Sequence, residues 1–301
     1  AMVQDGVEAF IYACIFTREI TVPDALRSLD RPYVLLNCTD KTAEAPSIVP
    51  SEIAGGQSAT NALIAAGHQR IGTIMGEDFM SAAQDRLKGY RRALATADIP
   101  FDPALVQPGD WSASAGYSGT KALMEADNPP TAIFCQNDRM AIGCYEYLKE
   151  HGLRIPEDVS VIGYDDEEIS RHLTPMLTTV NLPHREMGEW AVERLIGTDD
   201  HGHGPAAIKV AAKASCAGFC PHICQRFPSR LKNCGKGRTF LRLNWTRAVG
   251  LLRKGTVVQQ GGQIHNQMLS LLLRSNCRIQ LIRSFRHLPL EEALVGAVGR
   301  S

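Results

Sequence analysis

Amide and carboxylate side chains recur where apolar, β-branched runs end. They are Asn37, then Gly76-Glu77-Asp78, then Gln136-Asn137-Asp138, then Gly163-Tyr164-Asp165-Asp166. Such groups accept from and donate to vicinal hydroxyls, and a guanidinium holds two oxygens at once. An aromatic face that covers the C–H side of a sugar ring would complete a site for a polyhydroxyl ligand, and Trp111 is the candidate. The run Asp165-Asp166-Glu167-Glu168 could also suit a hard cation. Acids are favoured at a helix start, so Asp165 reads as ligand-facing and the rest as cap. Reaction chemistry has no such foothold. The chain holds no Gly-x-Ser-x-Gly, no Walker loop and no His-Glu-x-x-His, so the expectation is a binder without turnover, cofactor or metal. Cys216, Cys220 and Cys224, with His222 and Cys234 close by, come nearest to a metal set, but zinc sites usually show tighter Cys-x-x-Cys pairs.

Alternating elements must position these groups. The apolar pattern predicts strands over 9–14, 33–37, 70–75, 132–135 and 160–164. Helical spacing lies between them over 54–66, 80–95, 114–126 and 138–151, with C-cap signals at Ala66-Gly67 and His151-Gly152. Asn137 or Asp138 is placed to cap the helix that follows. Alternating β and α with short connections predicts parallel sheets covered by helices. In such folds ligands sit at the carboxyl ends of strands, where the sheet order reverses.

At 301 residues, with 44% hydrophobic and 21% charged residues, the composition is that of an ordinary two-domain soluble chain. No run approaches the roughly 18 apolar residues of a membrane span. The nine cysteines are scattered and read as free thiols in a reducing compartment. The net charge of zero conceals a split: up to Ala206 there are 16 basic and 30 acidic residues, and from Ala207 onward 16 basic and two acidic. The break follows the turn-rich stretch 197–205. Residues 201–301 stay unassigned, with three readings open: an out-of-frame or disordered segment, which the loss of periodicity favours, a basic appendage for nucleic acid, or a small metal module.

Six strings, in order and at matching spacing, resemble one family. They are Gly67-His68-Gln69-Arg70-Ile71, Asp85-Arg86-Leu87-Lys88-Gly89-Tyr90, Gly109-Asp110-Trp111-Ser112, 130–138 ending in Gln136-Asn137-Asp138, 160–166 ending in Asp165-Asp166, and Pro175–Val180. Residues 7 to about 200 are similar to the ligand-binding domain of LacI/GalR-type bacterial transcription repressors. The resemblance implies a periplasmic-binding-protein-like α/β fold of two Rossmann-like subdomains with parallel sheets and an effector bound in the cleft. The first, partial, subdomain takes residues 1–50 and 181–200, the second residues 51–180, with crossovers near Pro50 and Val180–Pro183.

The resemblance implies that Arg86 clamps the effector, with Asn137 and Asp165 opposite it. Trp111 stacks, Asn37 is a polar contact from the first subdomain, and Asp78 and Phe79 lie on a lining loop. Leu182 stands where the family is often polar, which argues for a different or smaller polar ligand face. Arg86→Ala is expected to weaken binding by on the order of 2–4 kcal/mol without unfolding the domain. The expected partners are a sugar-like effector, a second copy of the chain, and operator DNA only through a helix-turn-helix that the family carries ahead of this domain. The expected location is cytoplasmic, away from membranes. A periplasmic sugar-binding protein of a transporter is the alternative. The stripe Met187, Trp190 and Leu195 reads as core or dimer face, with the interface preferred. Without the family's opening strands, the first sheet is expected to show an unpaired edge.

Overall fold

The computed structural model describes residues 7–42, 44–196, 207–211, 213–215 and 279–284. It is an α/β protein whose contacts divide it into two units. One unit runs to Pro50, resumes over Pro183–Val210 and includes the strand at 279–284. The other takes Ser51–Leu182 and the strand at 213–215.

The first unit is built on β1 (Ala9–Ile20), β2 (Tyr33–Asp40) and β3 (Ser47–Ser51), with the short helix α1 (Asp24–Arg27) between the first two. Its sheet is completed by β9 (Ala207–Ala211) and β11 (Ile279–Ser284) in the order β11-β1-β2-β3-β9. Strand alternation sorts the side chains. Phe10, Tyr12, Cys14, Leu35 and Cys38 join Val22 and Leu26 on one face. Ile11, Ala13, Val34, Leu36 and Ile48 pack on the other against Met187 and Ala191 of α6 (His184–Ile196). Trp190 and Leu195 pack against the same cluster. Met187 therefore belongs to this unit's own core, while Trp190 and Leu195 are only partly buried against it.

The edge of β1 is corrected. It is not open: β11 runs parallel to it, pairing Ala9 with Ile279 through Cys14 with Ser284. An uncovered strand offers a row of free N–H and C=O groups, and Ile279-Gln280-Leu281-Ile282 supplies a β-prone partner from the stretch read as lacking rhythm.

The second unit is the alternating one. Its elements are α2 (Glu52–Ala65), β4 (Ile71–Ile74), α3 (Ser81–Thr96), β5 (Val106–Gln107), α4 (Ala113–Met124), β6 (Ala132–Cys135), α5 (Asp138–Glu150), β7 (Ser160–Asp165) and β8 (Thr178–Asn181). The sheet order is β10-β8-β7-β6-β4-β5. All pairings are parallel except that of β10 (Lys213–Ser215), which lies antiparallel on β8. Strands β4 and β6 are buried at every position, as expected for a sheet covered on both faces.

Glycines set the helix packing. A Cβ on Gly89 would lie 2.2 Å from the Ile53 carbonyl oxygen, and one on Gly143 would lie 1.8 Å from that of Ala113. Backbone therefore meets backbone between α2 and α3, and again between α4 and α5. The predicted C-caps form as Schellman turns. Gly67, at φ 96°, donates to Ile64 while His68 donates to Leu63, and Gly152 and Leu153 repeat the pattern on Lys149 and Leu148. His68 then bonds Thr131 and Ser160 at 2.9 and 2.8 Å, tying together the starts of β6 and β7.

Candidate functional site

The carboxyl ends of β4, β6 and β7 and the N-terminal turns of α2, α3 and α5 assemble one polar cluster inside the second unit. Its centre is Arg86, 3% exposed. Nε donates to Glu52 Oε2 at 2.8 Å and Nη2 to Glu52 Oε1 at 3.2 Å, a bidentate pair. Nη1 donates to the Gln136 carbonyl oxygen. Nη2 also lies 3.4 Å from Asp165 Oδ1. The guanidinium carbon stands 3.6 Å from the Tyr164 ring centre and 5.5 Å from that of Trp111. Tyr164 donates its hydroxyl to Glu52 Oε2 at 2.8 Å.

Close packing holds these groups. A Cβ on Gly55 would fall 1.9 Å from the Tyr164 hydroxyl, and one on Gly76 would fall 2.0 Å from the Trp111 indole. Gln136 accepts from the Gly76 amide and donates to the Ala83 carbonyl. Asn137 caps α5 by accepting from the Met140 amide at 2.8 Å, and its Nδ2 donates to the Trp111 carbonyl at 3.0 Å. Asp138 is fully buried and is not the cap. It accepts from Thr179 Oγ1 at 2.6 Å and from the Glu167 amide at 2.8 Å. Among the described residues, five other than glycine have positive φ, and three of them, Trp111 (69°), Asp165 (108°) and Asp166 (53°), lie here. Backbone strain of this kind persists where surrounding contacts over-determine it, and it clusters at binding sites.

The electrostatics follow from the packing. Burial opposes the charge on Arg86, but Glu52 and then Asp165 outweigh it and raise the guanidinium's pKa. Burial pushes Asp165 up to about 7, with Arg86 pulling against it and Glu52 adding to it. Burial, and then the charge of Asp165, push Asp138 well above the carboxylate range. The cluster thus holds one cation against carboxylates that already match it, so it has no surplus positive charge for a phosphate or carboxylate ligand.

The structure brings Arg86, Asn137, Asp165 and Trp111 together. Asp78 and Phe79 precede α3. Asp78 accepts from Gln84, and Phe79 is 77% exposed. Asn37 belongs to the other unit, where its Nδ2 donates to the Cys14 and Ile15 carbonyls at 3.0 Å each and its Oδ1 accepts from Thr17 at 2.8 Å. Asp166 accepts from Asn181 at 2.9 Å, and Glu168 opens a 3-10 turn, not a long helix.

Sequence reading missed Glu52 and Tyr164. A buried arginine needs a carboxylate partner, and that requirement, applied to the acids at helix starts, was the available signal for Glu52. It also corrects the expectation for Arg86→Ala. Deleting the guanidinium strands a 4%-exposed carboxylate, a change that costs about 3–5 kcal/mol of stability, so the domain's fold would not be spared.

A model of the periplasmic binding protein-like domain matches residues 60–213. The ribose operon repressor of Haemophilus influenzae is 39% identical over 169 residues, 56% of this chain and 51% of that protein. The transcriptional repressor PurR of Aliivibrio salmonicida is 31% identical over 195 residues, 65% of this chain and 59% of that protein. The chain therefore spans between half and three-fifths of the length of these two repressors. Among solved structures, the transcriptional regulator CelR in complex with cellobiose aligns with a TM-score of 0.58 at 31% identity, covering 68% of this chain and 63% of that one.

Proposed function

The chain belongs to the periplasmic binding protein-like family, as an effector-binding domain of LacI type, and we propose that it senses a small neutral polyhydroxyl molecule for a transcription repressor. The observation that carries this reading is the buried Arg86, gripped by Glu52 and Asp165 and flanked by Trp111 and Tyr164. A guanidinium immobilised by its neighbours is a preformed donor whose ordering is complete before ligand arrives, which favours affinity. Asp165 and Asn137 supply acceptor and amide groups beside it, and Trp111 supplies an aromatic face.

The charge match selects the ligand class. An anionic sugar phosphate would meet Glu52 and Asp165 with no surplus cation in return, whereas a neutral sugar exchanges hydroxyl hydrogen bonds without that penalty. CelR was solved with cellobiose, and we carry the sugar class over to this chain. The repressor relatives favour a regulator over a transport component. Function here is binding without turnover. Differential affinity of the effector for two conformations shifts their populations, with a coupling of about 1–3 kcal/mol. A homodimer and a cytoplasmic location complete the proposal.

A thermal-shift screen of the full chain tests it. Neutral mono- and disaccharides, the matching sugar phosphates and purines would be compared at equal concentration. Stabilisation by a neutral sugar and not by its phosphate is expected. Stabilisation confined to phosphates or purines would overturn the assignment of ligand class.

A further inference from the structure

The donors that converge on Glu52 are those of an anion site. Arg86 gives it the Nε–Nη2 edge of the guanidinium, at 2.8 and 3.2 Å, and such an edge matches two oxygens of a carboxylate or a phosphate. Tyr164 adds a hydroxyl donor at 2.8 Å. Glu52 is also the first residue of α2, and the N-terminal end of a helix favours negative charge. Glu52 and Arg86 are both buried.

Helix packing delivers the carboxylate to this place. A Cβ on Gly56 would fall 2.3 Å from the Arg86 carbonyl oxygen, so α2 meets α3 backbone to backbone at residue 86. Glu52 lies four positions before Gly56, on the same face of α2. The rest of the guanidinium is engaged elsewhere: Nη1 donates to the Gln136 carbonyl, and Nη2 also faces Asp165 at 3.4 Å. The edge that an anionic ligand would take is therefore held by a side chain of the protein itself.

We propose that Glu52 is an internal stand-in for a ligand's anionic group, and that by filling the Arg86 edge it sets the effector's charge, excluding anions and admitting neutral molecules. The inference rests on the reading of the Arg86 cluster as the effector site, and it assigns the selection to one carboxylate. Asp165 is the weaker counter-charge: it meets the guanidinium with one oxygen at 3.4 Å, and burial lifts it to about 7. With a small residue at position 52, the same donors would surround a vacated space of carboxylate size.

The test is chemical rescue of Glu52→Ala in the full chain. Formate supplies the deleted group, and chloride at equal ionic strength is the control. The variant is refolded from urea in each salt, so that a chain unable to fold alone is still read, and thermal midpoints follow. Formate should raise the refolded fraction and the midpoint of Glu52→Ala, the midpoint climbing with concentration as for a ligand that binds only the folded state. Glu52→Gln, whose side chain fills the space, should respond alike to both salts. No gain over chloride in Glu52→Ala, or an equal gain in Glu52→Gln, would overturn the proposal. In the sugar screen, a sugar phosphate that leaves the wild-type chain unmoved should stabilise Glu52→Ala. Equal stabilisation of the two proteins by sugar phosphates would overturn the selection. The formate arm uses no sugar and so fails or succeeds apart from the effector reading: rescue of a chain that no neutral sugar stabilises would uphold the role of Glu52 and remove the proposed ligand class.

Discussion

Asp165 sits where burial and the charge of Glu52 raise its pKa to about 7 against the pull of Arg86. An unfolded aspartate titrates near about 3.9. Between about pH 4 and about pH 7 the folded chain therefore keeps a proton that the unfolded chain has released, and stability from this group falls as pH rises through that window. Asp165→Asn removes the dependence. Urea midpoints of the two proteins should diverge from about pH 4 to about pH 7 in the variant's favour, and a constant difference would contradict the burial argument. Arg86 and Glu52 act as one unit. Glu52→Gln alone should cost stability by leaving the guanidinium under-compensated, while Arg86→Met combined with Glu52→Gln should recover part of the loss, measured as a double-mutant cycle. Four of the residues that meet at this cluster were readable from strings 86, 111, 137 and 165. Glu52 was not, because the requirement that places it is charge balance across 34 positions of sequence, and no local pattern encodes that.

At the level of elements, the helix ends at Gly67 and Gly152 were legible because a left-handed residue after a helix is a local matter. Asp98 makes the same turn at φ 55° after α3, with Ile99 donating to Leu94, and no glycine marked it. The close crossing of α4 on α5 was illegible, since Gly143 looks like any helical glycine until the Ala113 carbonyl lies against it. The two kinds of glycine respond differently to a methyl group. Gly67→Ala meets nothing within 4 Å and should lose only the left-handed strain, roughly 1–2 kcal/mol. Gly143→Ala forces the helices apart and should lose about 1–3 kcal/mol or more, with a matching fall in thermal midpoint. Equal losses would mean that the crossing tolerates the shift. β2 carries another such feature: its kink at Asn37 follows from three hydrogen bonds to β1, so the alternation that predicted the strand could not predict where it slips.

On the scale of the molecule, the alternating β/α order and the parallel sheets were legible from apolar periodicity, and the strings gave the family. The strands β9, β10 and β11 were not, because they lie in a stretch whose basic composition masks short β-prone runs. Among the described residues no helix is long and apolar enough to cross a membrane. Met187 is buried in the first unit's core, while Trp190 and Leu195 are only partly buried against it and leave apolar surface for the proposed dimer. Light scattering should give twice the chain mass of 32.9 kDa, and a single-chain mass at micromolar concentration would remove the dimer from the account. The central claim is that Asp165, beside Arg86, contacts a neutral effector, and calorimetric titration tests it most directly. The strongest neutral sugar from the thermal screen would be titrated into the wild-type chain and into folded Asp165→Asn. Above about pH 7, where Asp165 carries its charge, loss of a charged hydrogen bond predicts affinity weaker by roughly tenfold to a hundredfold in the variant. Equal affinity in the two proteins would contradict the account.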